Sequence, residues 1–122
     1  TGGVIQKDPK PVIKSDWIKP GCLGISIDYD ASWCPEAVKE MDLVITDDKR
    51  QLLDEQSKGH FSGVERIDAE IADLVCHHTG IRTATKQRIL TYNLGIALED
   101  LVTAVELYKR ANNLGVGTRI SM

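Results

Sequence analysis

Three short apolar runs, separated by helix-forming sequence, constrain the fold of this chain more than any other feature. They occupy residues 23–27, 43–46 and 88–92. Apolar runs of this length, bounded by breakers, are typical of strands buried inside a sheet. Alternation of such strands with helices predicts an α/β fold, in which a parallel sheet is covered by helices. We expect the first run to be an inner strand covered on both faces.

The segments between the runs carry recognisable helix signals. Pro35 suits a first helical position and predicts a short helix to about Glu40. Asp48 and Gln51 have the spacing of a capping box, which predicts a helix that stops at Gly59.

Two further helices are predicted from residue 62 onward. Ser62 and Glu65 form a second capping box, and the helix after it should end near His78. The apolar residues at helical spacing in it are Val64, Ile67, Ile71, Leu74 and Val75. The longest helix, over residues 96–111, is apolar on more than one stripe, so we expect contacts on two of its sides.

Polar residues follow each predicted strand. Right-handed crossovers would place all the strand ends on one edge of the sheet, so Asp28, Asp47 and Asn93 should share a rim. Ligands of open α/β sheets bind outside these carboxyl ends. We therefore place the candidate chemistry at Asp28. The alternative is that Asp28 or Asp30 only caps the following turn.

Composition excludes several classes of function. The chain has 122 residues, enough for one domain, and a net charge of −3 without a basic stripe, so we expect no nucleic-acid partner. It has no apolar run long enough to span a membrane, and we expect no membrane association. Three cysteines without a CxxC pair favour a reduced, cytoplasmic location. The cysteines and histidines lack metal-site spacing, so no metal is expected.

Motifs that would specify a reaction are missing from the sequence. No G-x-G-x-x-G, Walker A or G-x-S-x-G pattern occurs, and the lone GxG at residues 115–117 follows a helix instead of a strand. Motifs alone therefore indicate a parallel α/β unit with a carboxylate rim and do not name its chemistry.

Four stretches together carry a family resemblance. They are residues 17–21, the strand that ends at Asp28, residues 43–48, and residues 93–100 with the sequence Asn-Leu-Gly-Ile-Ala-Leu-Glu-Asp. In order and separation they resemble the C-terminal portion of the ornithine cyclodeaminase/μ-crystallin family, over essentially the whole chain.

The resemblance implies a division of the chain into two parts. Residues 1–93 would be the second half of a Rossmann-like NAD(P)-binding domain, whose glycine-rich loop lies upstream. Residues 94–122 would form a long C-terminal helix and tail that pack on a missing N-terminal dimerisation and substrate domain. The partners implied are that missing part or a second copy in a homodimer, a small amino-acid or imine substrate, and NAD or NADP as cofactor.

The resemblance also implies site residues. The family has an aspartate just after this strand, near the nicotinamide and the substrate amine. Asp28 is the best match from strand register, and Asp30 is the rival. The cofactor-binding candidates are Thr1, Asn93 and Leu94. The family's usual Asp-x-Pro-Gly-Lys is replaced here by residues 28–33, Asp-Tyr-Asp-Ala-Ser-Trp, so the loop lysine is absent and ornithine is in question as the substrate.

The activity implied is that of an NAD(P)-dependent amino-acid dehydrogenase, cyclodeaminase or imine reductase acting at an amine-bearing carbon. The alternatives are a small-ligand-binding protein of the μ-crystallin type with little turnover, and a fragment that is inactive alone.

Overall fold

A computed structural model describes residues 8–78 and 80–120, so Thr1 lies outside the described residues. Their elements in chain order are a single 3-10 turn (Ser15–Trp17), β1 (Leu23–Ser26), α1 (Pro35–Lys39), β2 (Leu43–Thr46), α2 (Lys49–Ser57), β3 (Ala69–Glu70), α3 (Ile71–Cys76), β4 (Ile89–Tyr92) and α4 (Ala97–Leu114).

The strands of the described residues form one parallel sheet with the order β1-β4-β2-β3. Parallel pairing requires crossover connections, which the helices between the strands supply. The predicted α/β fold, with a parallel sheet, covering helices and a long C-terminal helix, is confirmed.

One face of the sheet is packed under helices α1 and α2, and we call it the covered face. Gly24, Val44, Leu90 and Tyr92 share it by register. The core cluster consists of Ile18, Trp33, Cys34, Ala37, Val38, Met41, Val44, Leu52, Phe61, Val64, Leu90 and Tyr92. Gly24 is required here, because a Cβ at this position would lie 2.5 Å from the indole of Trp33.

The opposite face is less completely covered, and here one prediction is wrong. In the described residues β1 lies at the edge of the sheet, and Leu23, Ile25 and Ile27 on its opposite face are exposed. The expected inner strand covered on both faces is therefore not found. The physical reason is that α1 and α2 both pack on the covered face, while the side chains on the opposite face of β1 are 46–61% exposed among the described residues.

The predicted helix from Val64 to His78 is also wrong in its first half. Residues 64–68 are not helical and lead into β3, and only α3 is helical. Asp68 donates its N–H to the Val44 carbonyl at 2.8 Å and accepts the Val44 N–H on its carboxylate at 2.7 Å. Arg66 donates to the carbonyls of Met41 and Asp42. These distant partners hold the segment along β2 and override its helical periodicity.

The other helices follow the sequence signals. The carboxylate of Asp48 accepts the N–H of Gln51 at 2.8 Å, as the capping box predicts, and α2 ends just before Gly59. α4 begins at Ala97 and ends at Leu114 with Gly115 in a left-handed conformation. None of its residues is buried, so the expected two-sided contact is not met by the described part of the chain. No described helix combines the length and the apolar character needed to cross a membrane.

Candidate functional site

The carboxyl ends of β1, β4 and β2 meet at one rim, as the topology predicts. Asn93 donates its N–H to the Ser26 carbonyl at 2.8 Å, and Asp47 donates its N–H to the Tyr92 carbonyl at 3.3 Å. These bonds continue the sheet beyond the strand ends. The polar residues that follow the three strands are therefore brought to the same edge.

The chain leaves β1 and β4 toward opposite faces of the sheet. After β1 it passes to the covered face, where Trp33 packs against Gly24 and Leu90. After β4 it turns toward the opposite face, where Leu94 and Glu99 line a cleft with Ile27. Neighbouring strands whose continuations diverge in this way create a crevice, and open α/β sheets bind ligands in such crevices.

Asp28 lies just beyond the end of β1 and is fully buried. Its carboxylate accepts hydrogen bonds from the hydroxyls of Ser26, at 2.7 Å, and Ser32. Ser26 precedes it on the covered face, and Ser32 returns to it from the following loop. The carboxylate is thus held in a fixed place by groups whose hydrogen atoms can rotate.

Tyr29 reverses the chain immediately after Asp28. It has a left-handed backbone with φ of 56°. For a residue with a side chain, this conformation costs about 1–2 kcal/mol. The reversal sends the next carboxylate, that of Asp30, away from Asp28 and toward the loop after α2. There Asp30 accepts the N–H of Phe61 at 2.9 Å and contacts Nδ1 of His60 at 3.2 Å.

Aromatic rings connect this loop to the end of β4. Tyr29 and Phe61 lie with ring centroids 5.4 Å apart, and Phe61 meets Tyr92 edge-on at 5.0 Å. Burial raises the pKa of the Tyr92 phenol well above its usual range, and the charges of Asp30 and Asp28 raise it further. Tyr92 therefore stays protonated. Asp30, Phe61 and Tyr92 line a cavity of about 360 Å³ beside Trp33.

Asp47, at the end of β2, binds the start of the segment that follows β4. Its carboxylate accepts the N–H of Gly95 at 2.6 Å, the N–H of Asp48 at 2.9 Å and the hydroxyl of Thr46 at 3.2 Å. Gly95 has φ of 90°, a conformation that favours glycine. Asp47 therefore fixes the turn that carries Asn93 and Leu94.

The two cofactor-binding candidates in the described residues line a cleft separate from the cavity that Asp30 lines. Asn93 and Leu94 border a cavity of about 390 Å³ together with Ile27, Asp47 and Glu99. The side-chain oxygen of Asn93 accepts the hydroxyl of Thr91 at 2.8 Å. Leu94 is partly buried and also packs against the core.

Within residues 8–78 and 80–120, no three metal-ligating side chains lie close enough together to hold an ion.

Sequence reasoning missed three parts of this site. Ser26 and Ser32, which hold Asp28, carry no local signal beyond their proximity in sequence. The contact of Asp30 with His60 and Phe61 joins loops about thirty residues apart, which no short motif reveals. The role of Asp47 in holding Gly95 likewise depends on the neighbouring strands.

Comparison with known proteins gives several matches. No protein-family model matches the chain. The nodulation efficiency protein NfeD of Rhizobium meliloti is 24% identical over 107 residues, which are 86% of this chain and 33% of that protein.

Three solved structures share the fold. The Δ1-pyrroline-2-carboxylate reductase of Thermococcus litoralis, in complex with NADH and L-proline, matches with a TM-score of 0.69 and 27% identity over 90% of this chain. An archaeal alanine dehydrogenase dimer with bound NAD matches with a TM-score of 0.73 and 26% identity over 93% of this chain. A probable ornithine cyclodeaminase from Bordetella pertussis Tohama I matches with a TM-score of 0.73, 18% identity and 94% coverage.

This chain spans only part of the proteins that it matches. It covers 37%, 38% and 40% of the reductase, the dehydrogenase and the probable cyclodeaminase, respectively. These matches confirm the resemblance that the sequence predicted.

Proposed function

We propose, from the premise that this chain resembles the C-terminal portion of the ornithine cyclodeaminase/μ-crystallin family, that it is part of an NAD(P)-dependent enzyme. The enzyme would oxidise an amine-bearing carbon of an amino acid or reduce the corresponding imine. Two neighbours above 25% identity support this reading, since one is a pyrroline-2-carboxylate reductase and the other an alanine dehydrogenase.

The observation that carries the proposal is the pairing of β1 with β4, which brings the polar residues after both strands to one edge of the sheet. A buried carboxylate, Asp28, lies at the end of one strand, and the amide side chain of Asn93 follows the other. A crevice at such an edge is where parallel α/β sheets bind nucleotide cofactors. The arrangement puts an acid–base group and a polar amide on adjacent strands.

The residues present fit one end of a dinucleotide. Asn93 offers an amide and Leu94 an apolar surface in the same cleft, which suits a nicotinamide ring and its carboxamide. A bound nicotinamide would supply the hydride chemistry. The sequence contains no glycine-rich phosphate-binding loop, so the pyrophosphate would be held by chain outside these residues. Thr1 remains a candidate for the cofactor site.

Asp28 is the proposed catalytic carboxylate. A carboxylate beside an amine can accept a proton from the ammonium and can stabilise positive charge developing on an iminium. Ser26 and Ser32 would keep this carboxylate oriented through their hydroxyl hydrogen bonds. Because Asp28 is completely buried, neighbouring groups would have to move before a substrate could reach its carboxylate.

The long helix supports the proposed division of the chain. α4 exposes large apolar side chains at Leu98, Leu101, Val105 and Tyr108, and it has no buried residue. Exposed apolar surface of this extent marks an interaction site. We propose that residues 94–122 pack on an N-terminal dimerisation and substrate domain, in a cytoplasmic homodimer, and that residues 1–122 alone are inactive.

The test uses the complete reading frame that contains this sequence. Purified protein and its Asp28→Asn variant would be assayed for NAD(P)⁺ reduction with a panel of amino acids, and for NAD(P)H oxidation with cyclic imines. We expect kcat to fall about 10²- to 10⁴-fold in the variant, because a positioned acid–base group contributes that much. Cofactor affinity, measured by NAD(P)H fluorescence, should be retained. Unchanged turnover would remove Asp28 from the catalytic role.

The complete burial of Asp28 also favours a second candidate, a small-ligand-binding protein of the μ-crystallin type. A carboxylate that stays buried and out of contact with the substrate cannot exchange a proton with it. Tight NAD(P)H binding without turnover on any amino acid or imine would support this candidate against the enzyme.

A further inference from the structure

We infer that Asp30 is a positioning residue that holds the Asp28 loop, residues 28–33, against the loop after α2. The inference rests on the proposed function, because it assigns Asp30 a role in supporting the catalytic carboxylate. It also decides between the two aspartates that the sequence leaves as rivals.

Both oxygens of the Asp30 carboxylate are engaged by the same distant segment. Oδ2 accepts the backbone N–H of Phe61 at 2.9 Å, and Oδ1 lies 3.2 Å from Nδ1 of His60. The Asp30 side chain is 17% exposed and that of His60 20% exposed. A carboxylate that is partly buried and bonded through both oxygens acts as a link between two loops.

The backbone on each side of this link is strained in the same way. Tyr29 has φ of 56° and Phe61 has φ of 53°, and neither is a glycine. Such conformations persist only where the surrounding contacts over-determine them. The contacts here are the Asp30 bonds, the packing of the Tyr29 ring on the rings of Phe61 and His60, and the hydrogen bond that the Ser26 hydroxyl donates to the Tyr29 carbonyl at 2.8 Å. Loss of the Asp30 link would leave Tyr29, which directly follows Asp28, held by fewer of these contacts.

The consequence for Asp28 follows from its own partners. Ser32, which donates to Asp28, belongs to the same loop. The N–H of Ala31 donates to the Asp28 carbonyl at 3.1 Å and closes the turn around Tyr29. A relaxed Tyr29 would change the direction of this turn and move the Ser32 hydroxyl away from the carboxylate. A shift of about 1 Å at a reacting group can cost about 10²-fold in rate.

Two substitutions in the full-length protein separate a positioning role from a catalytic one. Asp30→Asn keeps an oxygen for the Phe61 N–H and places an NH₂ group beside His60, whose ring nitrogen can accept in its other tautomer. Asp30→Ala removes both bonds. The matched control is Asp54→Ala, an exposed aspartate on α2 that pairs with Lys58.

For a positioning residue, Asp30→Ala should lower kcat about 10²-fold while the KM for the cofactor stays unchanged. Asp30→Asn should restore turnover to within about 3-fold of the unaltered protein, because the bond to Phe61 is kept. A loss of about 10²-fold or more in both variants would mean that the negative charge itself takes part in the chemistry, and would overturn the inference.

A second measurement does not depend on turnover. Hydrogen exchange followed by mass spectrometry should show faster exchange in residues 26–33 and 59–64 together for Asp30→Ala, and in neither for Asp54→Ala. Unchanged exchange in residues 26–33 would overturn the link. If the unaltered protein turns over no substrate while this exchange pattern is found, the proposed function fails and the link between the loops stands.

Discussion

Two buried aspartates at the rim, Asp28 and Asp47, follow different strands and differ in the donors that the described residues supply to them. Asp28 follows β1 and accepts from the hydroxyls of Ser26 and Ser32. Asp47 follows β2 and accepts from the backbone N–H groups of Asp48 and Gly95, with one further hydroxyl from Thr46. Both are buried, so burial alone does not separate them.

The difference in donors indicates different roles. A backbone N–H can only donate, so the two amide partners of Asp47 each require an accepting oxygen on its side chain. A hydroxyl can donate or accept, so Ser26 and Ser32 can keep a hydrogen bond to Asp28 whether or not its carboxyl group carries a proton. Asp47 therefore fixes the loop that begins at Gly95, whereas the environment of Asp28 suits a group that exchanges a proton.

The largest expected change in stability comes from replacing each aspartate by asparagine, and it tests the contrast between Asp28 and Asp47. Asp47→Asn should lower the free energy of unfolding by about 2–3 kcal/mol, because one NH₂ group must then face a backbone N–H. Asp28→Asn should lower it by less than about 1 kcal/mol, since a serine hydroxyl can turn to accept. Urea unfolding of the two variants measures both values. Equal losses would show that the two sites do not differ in the way described.

A smaller effect is expected from Gly24→Ala, which disturbs only the Asp28 side of the rim. The new methyl group would lie 2.5 Å from the Trp33 indole, next to Ser32, and overpacking of this kind costs about 1–3 kcal/mol. Thermal unfolding would measure the loss. Gly80→Ala is the matched control, because nothing lies within 4 Å of its added Cβ. If the Gly24→Ala variant unfolded at the same temperature as the unaltered protein, Trp33 would be free to move and would not fix the loop.

The smallest effect is expected at Asp48, beside Asp47 in sequence. Asp48→Ala removes the bond to the Gln51 N–H and should cost about 1 kcal/mol of stability, as for other N-caps. Asp48→Ser keeps a capping oxygen and should restore most of that loss. Circular dichroism during urea unfolding compares the two variants. A loss at Asp48→Ala as large as at Asp47→Asn would contradict a special role for Asp47.

Much of the fold was predictable because its signals are local. The β-branched run over β2 and the capping box of Asp48 and Gln51 determine structure within a few residues, and both are found as predicted. The segment 64–68 was not predictable in this way. Its apolar spacing is that of a helix, but Asp68 and Arg66 bond to the chain near β2, more than twenty residues away.

The candidate site was likewise predictable only in part. Strand order and crossover handedness were enough to bring Asp28, Asp47 and Asn93 to one edge. The donors that distinguish the carboxylates could not be foreseen, because Gly95 reaches Asp47 across neighbouring strands and Phe61 reaches Asp30 from another loop. Their assignment required the three-dimensional arrangement.

The strand order has a consequence for synthesis of the chain. β4 is the last of the four strands to be made, yet it lies between β1 and β2, with Leu23 paired to Ile89 and Leu43 paired to the same residue. β1 and β2 do not pair with each other, and of these two only β2 has an earlier partner, β3. The four-stranded sheet cannot be completed until residue 92 has emerged from the ribosome. Until then β1 and β2 lack the strand that lies between them. Pairings this distant in sequence also slow folding, so chaperone binding during translation would act on this interval.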